Sequence, residues 1–355
     1  MQRMLAPALP RAALCATRAA AAAPRRALSA AAAPSKPTSR VLVTGATGQI
    51  GLELVPLLRA HLAARPDSVV IASDIKPDAA LTGAFEALDV TDGARFTALC
   101  KAHRIDTVVH LASLLSATGE KNPELAMHVN RGGAENVLAV AKALKLKVFA
   151  PSTIAAFGPS TPADNTPDVT VMRPTTMYGV TKVYLELLGE YYHAKFGVDF
   201  RSVRYPGIIS HKALPGGGTT DYAVEIFYEA LQKGAYTSFL GEHSALPMMY
   251  MPDALDAAVG LIDAPAARLT QRTYNVTGCS FTPGQLGAAV SAELVAMGRA
   301  PLKMGYKPDF RQAIADTWPR SIDDSRARAD WGWAPKFGTQ SMTKDMLHEL
   351  AKRLK

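Results

Sequence analysis

Three glycines in a G-x-x-G-x-x-G pattern, Gly45, Gly48 and Gly51, stand between a short apolar run and a stretch of helical spacing. The run is Val41-Leu42-Val43-Thr44 and the helical stretch reaches about Ala64. A buried strand that turns this tightly into a helix leaves few folds open. The first glycine permits the turn, the second lets backbone approach a pyrophosphate, and the third lets helix and strand pack closely. The first turn of such a helix carries unpaired N–H groups and the positive end of the helix dipole, which favour phosphate. Thr47, Gln49 and Ile50 fill the loop and are expected beside the same ligand.

Short apolar runs recur at Val69–Ala72, Thr107–Leu111, Lys147–Ala150 and Phe200–Arg204. Helical patterns lie between most of them, as at 125–144 and 176–196. Strands alternating with helices imply right-handed βαβ units and a parallel, doubly wound α/β sheet of the Rossmann type. After about residue 205 the alternation breaks down. Helical stretches near 221–233, 252–264, 283–297 and 340–354 are expected there, with sparse strands. We expect residues 40–205 to form mainly a dinucleotide-binding domain and 206–355 mainly a smaller substrate lobe, with some interchange of chain. Pro56 falls inside the first expected helix, where its ring and missing N–H are costly.

The formal net charge of +8 suggests a nucleic-acid ligand, but its location argues otherwise. Of 39 lysines and arginines, seven lie in residues 1–40, and the first acidic residue is Glu53; the remainder is 32 basic against 31 acidic. An Ala-, Arg- and Ser-rich segment without acids has the composition of an organelle transit peptide, so residues 1–39 are expected to direct import, to the mitochondrial matrix first and a plastid second; the plain alternative is a disordered, compositionally biased extension. The body calls for neither nucleic acid nor membrane. Cys100 and Cys279, the cysteines beyond that segment, are too few and too far apart for a disulfide framework or a zinc site, so no metal is expected.

Asp74 ends the second strand, 23 residues past Gly51. An acid there accepts hydrogen bonds from the adenosine ribose and repels a 2′-phosphate, which selects NAD over NADP. The plain alternative is a turn cap. Asp89 and Val90, after a short third strand, are expected to border the adenine, although an aspartate there is also ordinary turn chemistry.

Tyr178 and Lys182 are four residues apart, which on a helix puts them on one face. A tyrosine acts as a base near neutral pH only if its phenolate is stabilised; a nearby ammonium does so, as does the positive ring of a nicotinamide. Lowering a phenol from about 10 to 7 or 8 requires roughly 3–4 kcal/mol. Alone, the pair is a common accident of helix surfaces. Here Ser152-Thr153 follows the fifth strand, at the sheet edge where ligands bind, and the Thr153 hydroxyl can orient a substrate oxygen.

The glycine loop, Ser152-Thr153, Tyr178/Lys182 and Tyr205-Pro206-Gly207-Ile208 resemble the extended short-chain dehydrogenase/reductase family over roughly residues 40–340. The resemblance implies that Thr153, Tyr178 and Lys182 are catalytic, and that Leu111, Ala112, Tyr205 and Ile208 join the cofactor contacts. A narrower resemblance rests on Leu114–Glu120, Tyr178–Lys182, Pro206–Ser210, Gly216–Ala223 and Met249–Asp253. These segments are similar to the short-chain type of L-threonine 3-dehydrogenase, which forms 2-amino-3-ketobutyrate and NADH. It implies that Ser116, Thr219, Thr220 and Asp221 contact the substrate, together with Thr153 and Tyr178. The chemistry agrees: hydroxyls donate to a carboxylate, and Asp221 pairs with an ammonium. Asp221 is equally suited to be the N-cap of the helix at 221–233. A flexible loop is expected at Gly216–Gly218. The family also implies a homodimer through the helices at 125–144 and 176–196, whose apolar surplus includes Leu138, Ala141, Leu187 and Leu188. Two other readings remain: a nucleotide-sugar epimerase or dehydratase sharing the loop and the Tyr/Lys pair, and an NAD-binding protein without catalysis.

Overall fold

The alternation from Arg40 to Tyr205 builds a parallel sheet around strand β1 (Arg40–Thr44). The computed structural model describes residues 40–212, 214 and 218–354. The segment expected to direct import, and Gly216 and Gly217 of the expected loop, lie outside the described residues.

From β1 the chain runs through α1 (Gly51–Leu62), β2 (Val69–Asp74), β3 (Phe85–Ala87), α2 (Gly93–Ala102) and β4 (Thr107–His110). It continues through α3 (Ser116–Lys121), α4 (Pro123–Leu144), β5 (Lys147–Phe149), β6 (Ser152–Thr153), α5 (Met177–Phe196) and β7 (Asp199–Tyr205). The second half contains β8 (Gly207–Ile209), α6 (Tyr222–Lys233), β9 (Ala235–Ser238), β10 (Leu246–Tyr250) and α7 (Met251–Asp263). β11 (Thr273–Asn275), β12 (Cys279–Phe281), α8 (Pro283–Ala296), β13 (Lys303–Tyr306), α9 (Phe310–Ala315), α10 (Ser325–Trp331) and α11 (Thr339–Arg353) complete it.

The main sheet has the order β11-β7-β5-β4-β1-β2-β3, with β6 added beside β7. Its pairings are parallel. The strand order reverses between β1 and β4, so the crevice for a ligand opens at their carboxyl ends. Side chains alternate across the sheet as the period of two demands. Val41 and Val43 enter a core with α1 and α7, while Leu42 enters one with α2 and α4. A third core, around α6, α8 and α11, belongs to the lobe and also takes in Ile154, Ala155 and Phe157. No helix among the described residues is long and apolar enough to cross a membrane.

Three sequence expectations change here. The second half is not sparse in strands. Segments of three to five residues form a three-stranded sheet β12-β10-β8 and a pair β13-β9, and β11 extends the main sheet. Runs so short carry too little periodicity to stand out. Arg201, inside an apolar-looking run, is fully buried. Its guanidinium pairs with Asp199 at 2.8 Å and donates to the carbonyls of Leu261, Ile262 and Ala264, while Lys147 Nζ reaches Ile262 O at 2.9 Å. Two cations thus satisfy the C-terminal carbonyls of α7, where the helix dipole is negative. Leu138 and Ala141 are buried against the sheet and add nothing to an outer face; the exposed large apolar residues of α4 and α5 are Leu125, Val180, Leu187, Tyr191 and Phe196. Pro56 does not break α1 and sits on its exposed side.

Gly189 of α5 faces Phe200 of β7, and a Cβ there would stand 2.3 Å from the Phe200 ring. Gly189→Ala is therefore expected to lower unfolding stability by about 1–3 kcal/mol through overpacking. A shifted urea midpoint at unchanged slope would read it; a native midpoint would contradict this packing.

Candidate active site

The three loop glycines do different work. Gly45 has φ +68°, and a Cβ on it would come within 2.4 Å of the Ala112 backbone nitrogen. A Cβ on Gly51 would meet the carbonyl oxygens of Ala46 and Gly45 at 2.5 Å. Both positions are thus closed to any side chain by backbone. At Gly48 the nearest atom is Gly45 O at 3.3 Å, and this glycine lines the cavity described below. Ile50 stands at the N-cap of α1 without a side-chain cap bond, so that end is left to an external anion. A narrow backbone cradle before an uncapped helix fits the pyrophosphate of a dinucleotide.

Asp74 ends β2. Its Oδ2 accepts from Thr47 N at 3.1 Å and Thr47 Oγ1 at 2.8 Å, and its Oδ1 accepts from Ile75 N at 2.8 Å. The carboxylate is therefore fixed against the glycine loop, with its charge at the edge of the cradle. Asp89 is exposed and accepts from Thr91 N and Oγ1 at 2.9 and 2.7 Å. Those bonds hold its carboxyl below the usual range and make it a turn residue. Val90 is buried towards Gly133 of α4. Neither Asp89 nor Val90 lines the cavity, nor do Thr47, Asp74 and Ala112.

The catalytic candidates converge at the start of α5. Thr176 caps that helix, accepting from Gly179 N at 3.1 Å, and so fixes the first turn that carries Tyr178. Lys182 follows one turn later; its Nζ donates to Pro151 O at 2.9 Å and lies 5.5 Å from the Tyr178 ring centroid. Burial pushes the Tyr178 phenol up to about 12, against which a hydrogen bond from Thr153 acts in the lowering direction. Burial also lowers Lys182 to about 8, with the Glu186 carboxylate opposing it. Of the two charges expected to favour the phenolate, the Lys182 ammonium is held at the Pro151 carbonyl. The other is the positive nicotinamide ring that a bound cofactor would bring. Beneath the lysine, His110 is buried and bonds Thr44 Oγ1 at 2.8 Å; burial and the nearby Lys182 drop it to about 3, so it stays neutral.

Ser116 opens α3 and is buried. Thr219, buried, and Thr220 lead to Asp221, which stands at the N-cap position of α6 but makes no side-chain cap bond. Its Oδ2 instead accepts from Gly218 N at 2.8 Å. The capping alternative therefore fails as a hydrogen bond, though the position is right. Ser116, Thr153, Tyr178, Lys182, Thr219, Thr220 and Asp221 border one cavity of about 240 Å3, together with Gly45, Gly48, Gln49, Ile50, Gly51, Leu111, Tyr205 and Ile208.

Sequence reasoning missed Trp318, which closes the lobe side of this cavity, and Asn130. The Asn130 amide accepts from Leu114 N at 2.7 Å and donates to Leu114 O and Thr181 Oγ1, tying α4 to α5 and to the segment before Ser116. Neither residue lies in a motif, and only the solved fold brings them near Tyr178.

Residues 41–277 match the NAD dependent epimerase/dehydratase family. An L-threonine dehydrogenase from Phytophthora infestans is 59% identical, with a TM-score of 0.84 over 89% of this chain and 100% of that one. The holo form of an L-threonine dehydrogenase from Cupriavidus necator is 49% identical, with a TM-score of 0.82 over 88% and 99%. An uncharacterized epimerase/dehydratase from Staphylococcus saprophyticus is 48% identical over 314 residues, 87% of this chain and 96% of its own length. The chain belongs to the NAD dependent epimerase/dehydratase family, as an NAD-using enzyme structurally close to the L-threonine dehydrogenases.

Proposed function

We propose that this enzyme oxidises the β-hydroxyl of L-threonine to 2-amino-3-ketobutyrate. The observation that carries the reading is the single cavity in which Thr153, Tyr178 and Lys182 share walls with Ser116 and Thr219–Asp221. Hydroxyl donors beside a carboxylate, at Ser116, Thr219, Thr220 and Asp221, suit the two charged ends of a small amino acid. The names of the solved relatives, L-threonine dehydrogenases, point the same way.

NAD, when bound, supplies the hydride acceptor. The threonine β-carbon gives up its hydrogen as hydride and the β-hydroxyl gives up its proton. Tyr178 takes that proton, and Thr153 hydrogen-bonds the reacting oxygen. Lys182 holds the nicotinamide ribose and adds positive charge near the phenol. Asp74 accepts from the adenosine ribose and repels a 2′-phosphate. At the far end Ser116 and the Thr219/Thr220 pair donate to the carboxylate, and Asp221 pairs with the ammonium. We propose further that two copies associate through α4 and α5, covering Leu125, Val180, Leu187 and Tyr191. Light scattering at micromolar concentration should then give twice the chain mass, and a single-chain mass would contradict it.

Tyr178→Phe is expected to cut kcat at least about 100-fold while NADH still binds, because only the proton acceptor is removed. Stopped-flow turnover and fluorescence titration separate the two, and a variant keeping a large share of native kcat sinks the proton step.

Substrate choice is tested with protein beginning at residue 40, by following NADH formation. L-Threonine should be the best substrate, L-serine a weak one, and 3-hydroxybutyrate poor, because it leaves Asp221 without its cation. Each lost hydrogen bond costs about 1–3 kcal/mol, and a lost charge partner more. Asp221→Asn should raise KM for threonine far more than for the hydroxy acid. Equal efficiency with both discards threonine as the substrate.

A further inference from the structure

Tyr178, Lys182 and Glu186 follow one another at intervals of four on α5 and so share one face of the helix. The first two border the cavity; Glu186 lies behind them, with 1% of its surface exposed. Its carboxylate accepts from the Ser152 hydroxyl, from Arg204 Nε at 3.0 and 3.1 Å and from Arg204 Nη2 at 2.7 Å. Arg204, itself buried, donates further to Asp168 O at 2.7 Å and Asn275 Oδ1 at 3.2 Å. Ser152 sits between Pro151, whose carbonyl receives the Lys182 ammonium, and Thr153, which bonds the Tyr178 phenol. One buried carboxylate thus fixes the short segment on which both reacting side chains depend.

We propose that Glu186 is a positioning residue for the hydride-transfer reaction, anchoring residues 151–153 to α5 and balancing charge around the Lys182 ammonium. The proposal rests on the catalytic reading of Tyr178 and Lys182, and is independent of threonine being the substrate.

The charges around Lys182 define what Glu186 does. Tyr178 faces the ammonium from its own helix, His110 of β4 faces it as a neutral ring, and the 151–153 segment offers the Pro151 carbonyl. Glu186 is the negative charge that opposes the effect of burial on this lysine. Beyond it stands the Arg204 guanidinium, close to Asp168 and Glu190. Neutralising Glu186 removes the favourable charge and leaves the guanidinium with only the more distant Asp168 and Glu190 against it. Both changes make Lys182 lose its proton at lower pH. Because the folded lysine already titrates near 8, its charge is present below that pH and lost above it. NADH affinity, which depends on that ammonium, should therefore weaken as pH rises through about 8.

NADH binding is measured by fluorescence across pH without any amino acid present. The native protein should show an alkaline limb near 8. Glu186→Gln should move that limb down by about one pH unit. The double variant Glu186→Gln/Arg204→Met removes both charges and should return the limb towards its native position, even though both variants lose thermal stability. A residue that merely holds the fold together would lower the melting temperature and leave the limb in place. A Glu186→Gln protein with the native limb, or a double variant that keeps the lowered one, overturns the proposal. A native titration with no limb overturns the reading of Lys182 and this proposal with it, so the two failures are distinct. If Glu186→Gln yields no folded protein, Ser152→Ala decides. It removes only the hydroxyl linking the carboxylate to the segment, and is expected to lower kcat several-fold at unchanged NADH affinity; an unchanged kcat overturns the anchoring role.

Discussion

The approach of backbone to backbone at Gly45 and Gly51 is the constraint on which the site depends. At both positions any side chain would stand 2.4–2.5 Å from main-chain atoms. This contact presses the start of α1 against the ends of β1 and β4, at the reversal of strand order. It leaves the uncapped helix end and the open face of Gly48 as one wall of the cavity. Asp74 then holds the loop from the neighbouring strand through Thr47. A single carboxylate thereby serves the protein's own loop, while its charge stands where an adenosine ribose is expected.

Dryness is the second theme of the site. The burial that raises Tyr178 to about 12 and lowers Lys182 to about 8 keeps both groups neutral more readily than water would. Such a pair is a poor base and a poor cation until another charge arrives. In the reading proposed above, the cofactor's positive ring would be that charge, which couples the proton step to cofactor binding through electrostatics. The neutral His110 below Lys182 fits the same pattern, since a protonated ring there would compete with the ammonium.

Much of this was legible in the chain. The glycine spacing, the alternation of strands and helices up to Tyr205, Asp74 at a strand end and the Tyr178/Lys182 interval all reflect local rules, and local rules leave periodic traces. The short strands β9 to β13 left none, because three to five residues of mixed composition look the same in a loop. Trp318 and Asn130 were invisible for a different reason. Their neighbours near Tyr178 come from distant parts of the chain, and nothing beside them in sequence marks the encounter. Asp221 was legible as a residue of interest, but its hydrogen bond to Gly218 rather than to its own helix could be read only in three dimensions.

The burial of Arg201 and Lys147 beneath the end of α7 has a consequence for how the chain comes into being. Both cations are made early, on β5 and β7, whereas the carbonyls that receive them belong to residues 261–264. The edge strand β11 arrives later still. A nascent chain that has emerged only as far as Tyr205 holds every residue of the glycine loop and the Tyr/Lys pair. It also carries two cations that lack the α7 carbonyls they donate to, an open sheet edge and an uncovered apolar face. Native order in the dinucleotide half therefore waits on a segment translated some sixty residues afterwards, and until then a chaperone has a well-defined surface to shield.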